Sequence, residues 1–307
     1  MQRMDYNFKD HGFVGHMSIP ERFNGHGVIV IMGGEKSLLP GTLIADRFAD
    51  YGIMALSVSL FGAKGLGNGA NRIPVDMFIP AVKVLQEKGC ASISVYGMSM
   101  GSIFAALVAR YVGGIDNIIL CSPTHVPFEG SEDKKSNTRR SVATWQGRDV
   151  PFVSLDFAAR KMNRYYFDKE AGRRVMGMWI AYRDAYRDKE AEAKADLKLW
   201  ESGARILLIA GTQDEAWPSD YSVRYIEKQL EAVGYKKDYK AYIYPYGSHL
   251  IGMMPNRKRE KKLYGLLPVI GLVYKTLGRH KKECLDAFEK SEKEIIRWIL
   301  YDTHNIP

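Results

Sequence analysis

The stretch V-Y-G-M-S-M-G-S, residues 95–102, sets Ser99 between two glycines at the end of an apolar, β-branched run, with a helical pattern following at once. A G-x-S-x-G turn between a strand and a helix holds its serine in a strained backbone, and the glycines let strand and helix approach without a Cβ clash. The hydroxyl then stands at the carboxyl end of a sheet beside a helix N-terminus, where backbone N–H groups favour a developing oxyanion. A serine attacks only with a base to take its proton, and the base needs an acid to orient it. Asp214 follows the run R-I-L-L-I-A-G by three residues, and His249 lies in a glycine-containing loop just past K-A-Y-I-Y-P-Y. Serine, acid and histidine therefore come in the expected chain order, each after a strand-like run. That convergence weighs more than the pentapeptide, which occurs by chance.

Alternatives exist for each partner. Ser99 could be a turn residue, Asp214 could cap the helix after Pro218, and Glu215 and Asp220 compete as acids. His125, after N-I-I-L-C-S-P-T, is the competing histidine; it is expected to line the cleft or to pack beneath a cap. The Met100 amide is one expected oxyanion donor. The other is expected from the loop I-M-G-G-E-K-S-L-L-P, as the amide of Gly34 or Glu35. Trp217, in Q-D-E-A-W-P-S, joins the residues expected to meet substrate.

These side chains need a frame. Apolar runs at 27–32, 52–59, 92–97, 117–122, 205–211 and 240–246 have the length and β-branched content of strands buried on both faces. Helical spacing lies between them, as in Val75, Phe78, Ile79, Val82 and Leu85, where Pro80 must kink the helix or delay its start. The alternation predicts an α/β fold with a mostly parallel sheet and helices on both faces, closed by an amphipathic helix over 281–301. The rhythm breaks between 123 and 204, which reads as an inserted, largely helical cap in a single domain spanning 1–307.

Composition narrows the rest. The three cysteines, Cys90, Cys121 and Cys284, suggest neither a disulfide framework nor a zinc site, and no dinucleotide fingerprint occurs, so no metal or cofactor is expected. The opening residues lack the apolar core of a signal peptide, and no apolar run approaches the ~20 residues of a membrane helix. A soluble, cytoplasmic protein is expected. The net charge of +9 is concentrated: nine Lys/Arg against one acid fall between Arg257 and Lys282. No nucleic-acid motif accompanies them, and nucleic acid is not expected as a partner.

The segments G-V-I-V-I-M-G-G-E-K-S-L-L-P-G-T-L-I-A-D-R-F-A-D-Y, V-Y-G-M-S-M-G-S, L-L-I-A-G-T-Q-D-E-A-W-P-S and Y-P-Y-G-S-H-L-I-G-M-M-P together resemble the catalytic domain of the acyl-CoA thioesterase and bile acid-CoA:amino acid N-acyltransferase family, which has the α/β-hydrolase fold. The resemblance implies Ser99, Asp214 and His249 as the catalytic residues. Two departures stand out. Better-known members carry an N-terminal β-sandwich of about a hundred residues, whereas here the hydrolase core begins almost at once. Glu35, Lys36 and Ser37 also stand where the family's loop usually has glycines. In the family the amino-acid transferases use cysteine and the thioesterases serine, so Ser99 points to hydrolysis. An acyl-cysteine is a thioester that amines take readily, while an acyl-serine is an oxygen ester that activated water clears.

The leading expectation is thus a serine hydrolase of acyl-CoA thioesters, with a carboxylesterase or dienelactone-hydrolase-like enzyme on small esters as the alternative and a non-catalytic scaffold third. Residues 252–280 are expected to fold over the cleft, with Arg257, Lys258 and Arg259 meeting coenzyme A phosphates and the apolar stretch 263–274 lining an acyl channel. A solvated basic face, or peripheral membrane contact through 257–275, is the competing expectation.

Overall fold

The computed structural model describes residues 1–130, 139–157 and 159–301. Its frame is an eight-stranded sheet. The strands are β1 (Gln2–Tyr6), β2 (Gly15–Ile19), β3 (His26–Ile31), β4 (Met54–Val58), β5 (Ser92–Met98), β6 (Asn117–Cys121), β7 (Arg205–Gly211) and β8 (Tyr239–Tyr244). Their order across the sheet is β1-β2-β4-β3-β5-β6-β7-β8. From β4 to β8 every pairing is parallel, while β2 runs antiparallel to both β1 and β4.

The central strands carry no polar face because both faces are covered. Ile29 and Ile31 of β3 enter one core, and Val28 and Val30 enter the other. Ile206, Leu208 and Ala210 of β7 likewise oppose Leu207 and Ile209. Each such side chain, removed from water, stabilises the fold by roughly 1.5–3 kcal/mol. Helices Phe78–Glu87, Met100–Leu107 and Ser219–Ala232 pack on the first face, and Leu39–Ala49 and Lys281–Leu300 on the second. Pro80 delays its helix rather than kinking it: a 3₁₀ turn covers Val75–Met77, the α-helix starts at Phe78, and Pro80 sits in the first turn, where its missing N–H would have no helical partner.

Three elements differ from the sequence expectation. Strand β8, expected to be buried on both faces, lies at the sheet edge with no fully buried residue. The antiparallel edge pair β1–β2 arises from residues too polar to read as buried, since β1 is mostly exposed. Within 123–204 the stretch expected to be helical from Tyr165 onward opens as a β-hairpin instead, pairing Tyr165–Asp168 with Arg173–Met176, and Gly172 takes the positive φ of 62° that the turn needs. Helices Gly177–Ala185 and Lys189–Ala195 follow. The apolar residues of this insertion, among them Val142, Val153, Tyr182 and Leu197, are contiguous with the first core. Part of its polar loop, 131–138, lies outside the described residues.

Candidate active site

Strand β5 delivers Ser99 straight into the helix Met100–Leu107. Ser99 has φ 57° and ψ −129°, a strained conformation for a residue with a Cβ, and its N–H donates to the Cys121 carbonyl of the adjacent strand at 3.0 Å. The two flanking glycines explain why the turn closes. A Cβ on Gly97 would stand 2.5 Å from the Gly101 carbonyl oxygen, and one on Gly101 would run into the carbonyls of Ile31 and Met32.

Ser99 Oγ lies 2.8 Å from His249 Nε2, and His249 Nδ1 lies 3.0 Å from both carboxylate oxygens of Asp214. These partners demand one tautomer, with Nδ1–H donating to Asp214 and Nε2 accepting the serine proton. Asp214 is fixed in turn, since its Oδ1 accepts from the Ala216 and Trp217 N–H groups at 2.9 and 3.2 Å. His249 is buried, and burial is the largest influence on it, opposing its charge. The Asp214 carboxylate and its hydrogen bond together outweigh that cost and hold the imidazole above its ordinary range. Such an arrangement moves a proton from serine to imidazole without creating an unpaired charge.

The loops bearing Asp214 and His249 meet backbone to backbone. A Cβ on Gly211 would collide with the Gly247 carbonyl, and the Gln213 N–H donates to that same carbonyl at 3.2 Å. Three side chains for which sequence reasoning did not foresee this role complete the support. Ser122, itself at φ 45°, donates its hydroxyl to the His249 carbonyl at 2.8 Å. Glu215, buried and pushed up by that burial, accepts from the N–H groups of His249 at 3.4 Å and Thr276 at 3.0 Å. Tyr274 stacks on the imidazole with ring centroids 5.9 Å apart. The position of Ser122, one residue past a strand end level with Ser99, offered a signal in the sequence, and Glu215 stood out only as a competing acid.

The expected oxyanion region is less finished. Met100 opens the helix beside Ser99. Across from it the loop after β3 touches Ser99 through Gly33, where a Cβ would lie 3.1 Å from Oγ; Gly34 has nothing within 4 Å of its own Cβ position. Glu35 as a residue is exposed, but its carboxyl end lies over its own loop, with Oε2 3.4 Å from where a Cβ on Gly33 would stand. Desolvation of that carboxyl raises it above the ordinary carboxylate range. A carboxyl group thus stands beside the loop expected to face the oxyanion.

The residues expected to meet substrate are dispersed. Arg259 binds Asp50 at 2.6 and 2.9 Å, at the C-terminus of the helix Leu39–Ala49. The Ser99 side of that 11-residue helix is its other end, roughly 16 Å away along the axis. Arg257 lies over Tyr264 and Lys258 is exposed. For Arg259 the expectation of a place at the cleft is corrected, because Asp50 holds it at the far end of the helix Leu39–Ala49, and Asn256 donates to the same carboxylate. His125 is fully buried between Ser222 and Glu192, at 3.0 and 3.1 Å, and packs beneath the insertion. Trp217 is 2% exposed, donates its indole N–H to the Ser122 carbonyl at 3.0 Å, and meets His249 edge-on at 4.8 Å, so it supports the histidine rather than lining an open cleft.

A cavity of about 490 Å³ opens beside the acid loop, between Thr212, Asp220 and the insertion. Arg173, Arg183, Arg187 and Lys189 line it with Trp179 and Tyr221. Arg173 donates to the main-chain carbonyl of Asp214 at 2.7 Å, tying the cavity wall to the acid loop. Among the described residues no cluster of histidine, cysteine and carboxylates could hold a metal ion.

A serine on a strand–elbow–helix turn, with its acid and histidine at the ends of later parallel strands, defines an α/β hydrolase. The fold agrees with a solved structure described as a dienelactone hydrolase of Klebsiella pneumoniae subsp. pneumoniae: TM-score 0.51, 11% identity, covering 98% of this chain and 99% of that one. A thermostable carboxyl esterase of Bacillus coagulans is similar at TM-score 0.49 and 16% identity, covering 89% and 98%. Comparison with curated proteins returns no match. Residues 73–257, more than half of the chain and including Ser99, Asp214 and His249, match the model of the BAAT / acyl-CoA thioester hydrolase C-terminal family. The chain belongs to that family, and it is a hydrolase of ester or thioester bonds.

Proposed function

We propose that this protein hydrolyses acyl-CoA thioesters through an acyl-Ser99 intermediate. The observation that carries the reading is the Ser99–His249–Asp214 relay, at 2.8 and 3.0 Å, in a chain of the thioester hydrolase family. His249 Nε2 takes the Ser99 proton as Oγ attacks the thioester carbonyl, and the oxyanion faces the Met100 amide. The C–S bond then breaks, and His249 returns the proton to the departing thiolate. Water enters, loses its proton to His249 and attacks the acyl-serine; the tetrahedral species collapses to carboxylate, and Ser99 recovers its proton.

With Arg259 held by Asp50, the reading assigns the coenzyme A phosphates to the cavity beside the acid loop, where Arg187 and Lys189 are largely exposed, each beside a carboxylate, Glu170 and Glu192, that phosphate would displace. Fluorophosphonate labelling that is lost in Ser99→Ala, together with turnover of a panel of acyl-CoA and p-nitrophenyl esters, tests the proposal. Rapid ester cleavage beside background thioester turnover would replace it with the carboxylesterase reading. Arg187→Gln is expected to raise KM for acyl-CoA about threefold to tenfold and to leave p-nitrophenyl ester KM unchanged.

A further inference from the structure

A helix that is apolar on every side belongs inside a protein or against another apolar phase. The helix Leu267–Val273 is apolar on every side, yet only half of it is covered. Leu267, Ile270, Gly271 and Tyr274 turn inward onto the second core. The outward side presents Leu266, Val269, Leu272 and Val273, which are 51, 58, 76 and 55% exposed. The following helix Lys275–Arg279 cannot cover them, because it packs on the inward side: a Cβ on Gly271 would lie 2.8 Å from Gly278 Cα. The hairpin extends the surface. Tyr165 donates its hydroxyl to the Val273 carbonyl at 2.7 Å, and Phe167, on the same face of that strand, is 66% exposed.

Cations bracket this apolar stripe. Lys258, Lys261 and Lys262 precede it and Arg279, Lys281 and Lys282 follow it. All six are exposed, and among the described residues none has a carboxylate within 4.0 Å. We propose that this face is a docking surface for an anionic lipid bilayer, on which the helix Leu267–Val273 lies in the interfacial plane. Apolar side chains enter the headgroup boundary while flanking lysines and arginines meet lipid phosphates, the arrangement that holds amphipathic segments at membranes. A second copy of the chain is a poorer occupant, since a two-fold pairing of this face would set its cations against each other. No helix among the described residues is long and apolar enough to cross a membrane, so the contact is peripheral. Docking there would bring the lipid surface next to Tyr274, the residue stacked on His249.

Co-sedimentation with vesicles tests this independently of Ser99 chemistry. The protein is expected to pellet with phosphatidylcholine vesicles containing about one-third phosphatidylglycerol, at least about tenfold more tightly than with phosphatidylcholine alone. About 0.5 M NaCl should release most of it. The double variant Val269→Asp/Leu272→Asp is expected to weaken binding about tenfold, and Lys261→Gln/Lys262→Gln to weaken it and flatten its salt dependence. All four positions are exposed, so circular dichroism and thermal unfolding serve as the control that each variant is folded. Failure to pellet with either vesicle overturns the proposal. So does lipid binding unaffected by Val269→Asp/Leu272→Asp, or a dimer by light scattering that those substitutions dissolve.

Discussion

Two loops face Ser99 from opposite sides, and they are built to different standards. On the histidine side, Gly211 touches Gly247, Ser122 and Glu215 hold the His249 main chain, and Trp217 and Tyr274 confine its ring. On the other side, Gly34 is open to solvent and Glu35 holds its carboxyl over Gly33 of its own loop. The contrast teaches that the Ser99–His249–Asp214 chain is already hydrogen-bonded in the resting protein, whereas the loop expected to stabilise charge keeps a carboxyl group beside it. Pre-organised donors lose nothing to reorganisation at the moment of reaction, and a negative charge beside a developing oxyanion opposes it.

Substitutions break the two halves unequally. Ser99→Ala should reduce kcat by about a millionfold and abolish fluorophosphonate labelling, the loss expected when one member of a relay is removed. Asp214→Asn, which reverses the tautomer that Nδ1 must adopt, should cost about 10⁴-fold in single-turnover rate. Gly101→Ala drives a Cβ into the Ile31 and Met32 carbonyls, and calorimetry should show a loss of about 1–3 kcal/mol with Ser99 labelling slowed. Glu35→Ala acts in the opposite direction. By removing a carboxyl group beside the expected oxyanion loop it should raise kcat about twofold to tenfold, and an unchanged kcat would show that Glu35 does not oppose the oxyanion.

A pH profile sharpens the comparison on the histidine side. Because His249 is held above the ordinary 6.5, the acidic limb of kcat/KM should fall above that value and move down in Asp214→Asn. The sign for stability is the reverse of that for activity. A raised histidine favours the protonated fold, so the His249–Asp214 pair stabilises fully below about pH 6.5 and loses its contribution as pH rises through the folded value.

Much of this frame was legible in the residues. Five strands announced themselves because both their faces are apolar, while β8, half-buried at the edge, was legible from its β-branched and aromatic residues. Ser99 was legible because it directly follows a strand, and Asp214 and His249 because each lies a few residues past one. The hairpin Tyr165–Met176 was not, because its charged residues suit an exposed helix as well as an exposed strand. Arg259 misled for a different reason: charge is visible in a sequence, but Asp50, more than two hundred residues earlier, decides where that charge goes. Ser122 and Glu215 act by hydrogen-bonding the main chain of His249, a contact made only by the folded loops. Glu35 stood out as a departure from a glycine-rich loop, but that its carboxyl would lie over Gly33 was a matter of three-dimensional crowding.

The edge-on contact between Trp217 and His249, 4.8 Å between ring centroids, has an optical consequence. A protonated imidazole quenches a neighbouring indole, and Trp217 is sealed from solvent that would otherwise quench it. Emission that dims as the medium acidifies, and that is lost selectively in Trp217→Phe, would let the charge on His249 be followed in real time without substrate. The protein thus carries a built-in fluorescent gauge of its own histidine.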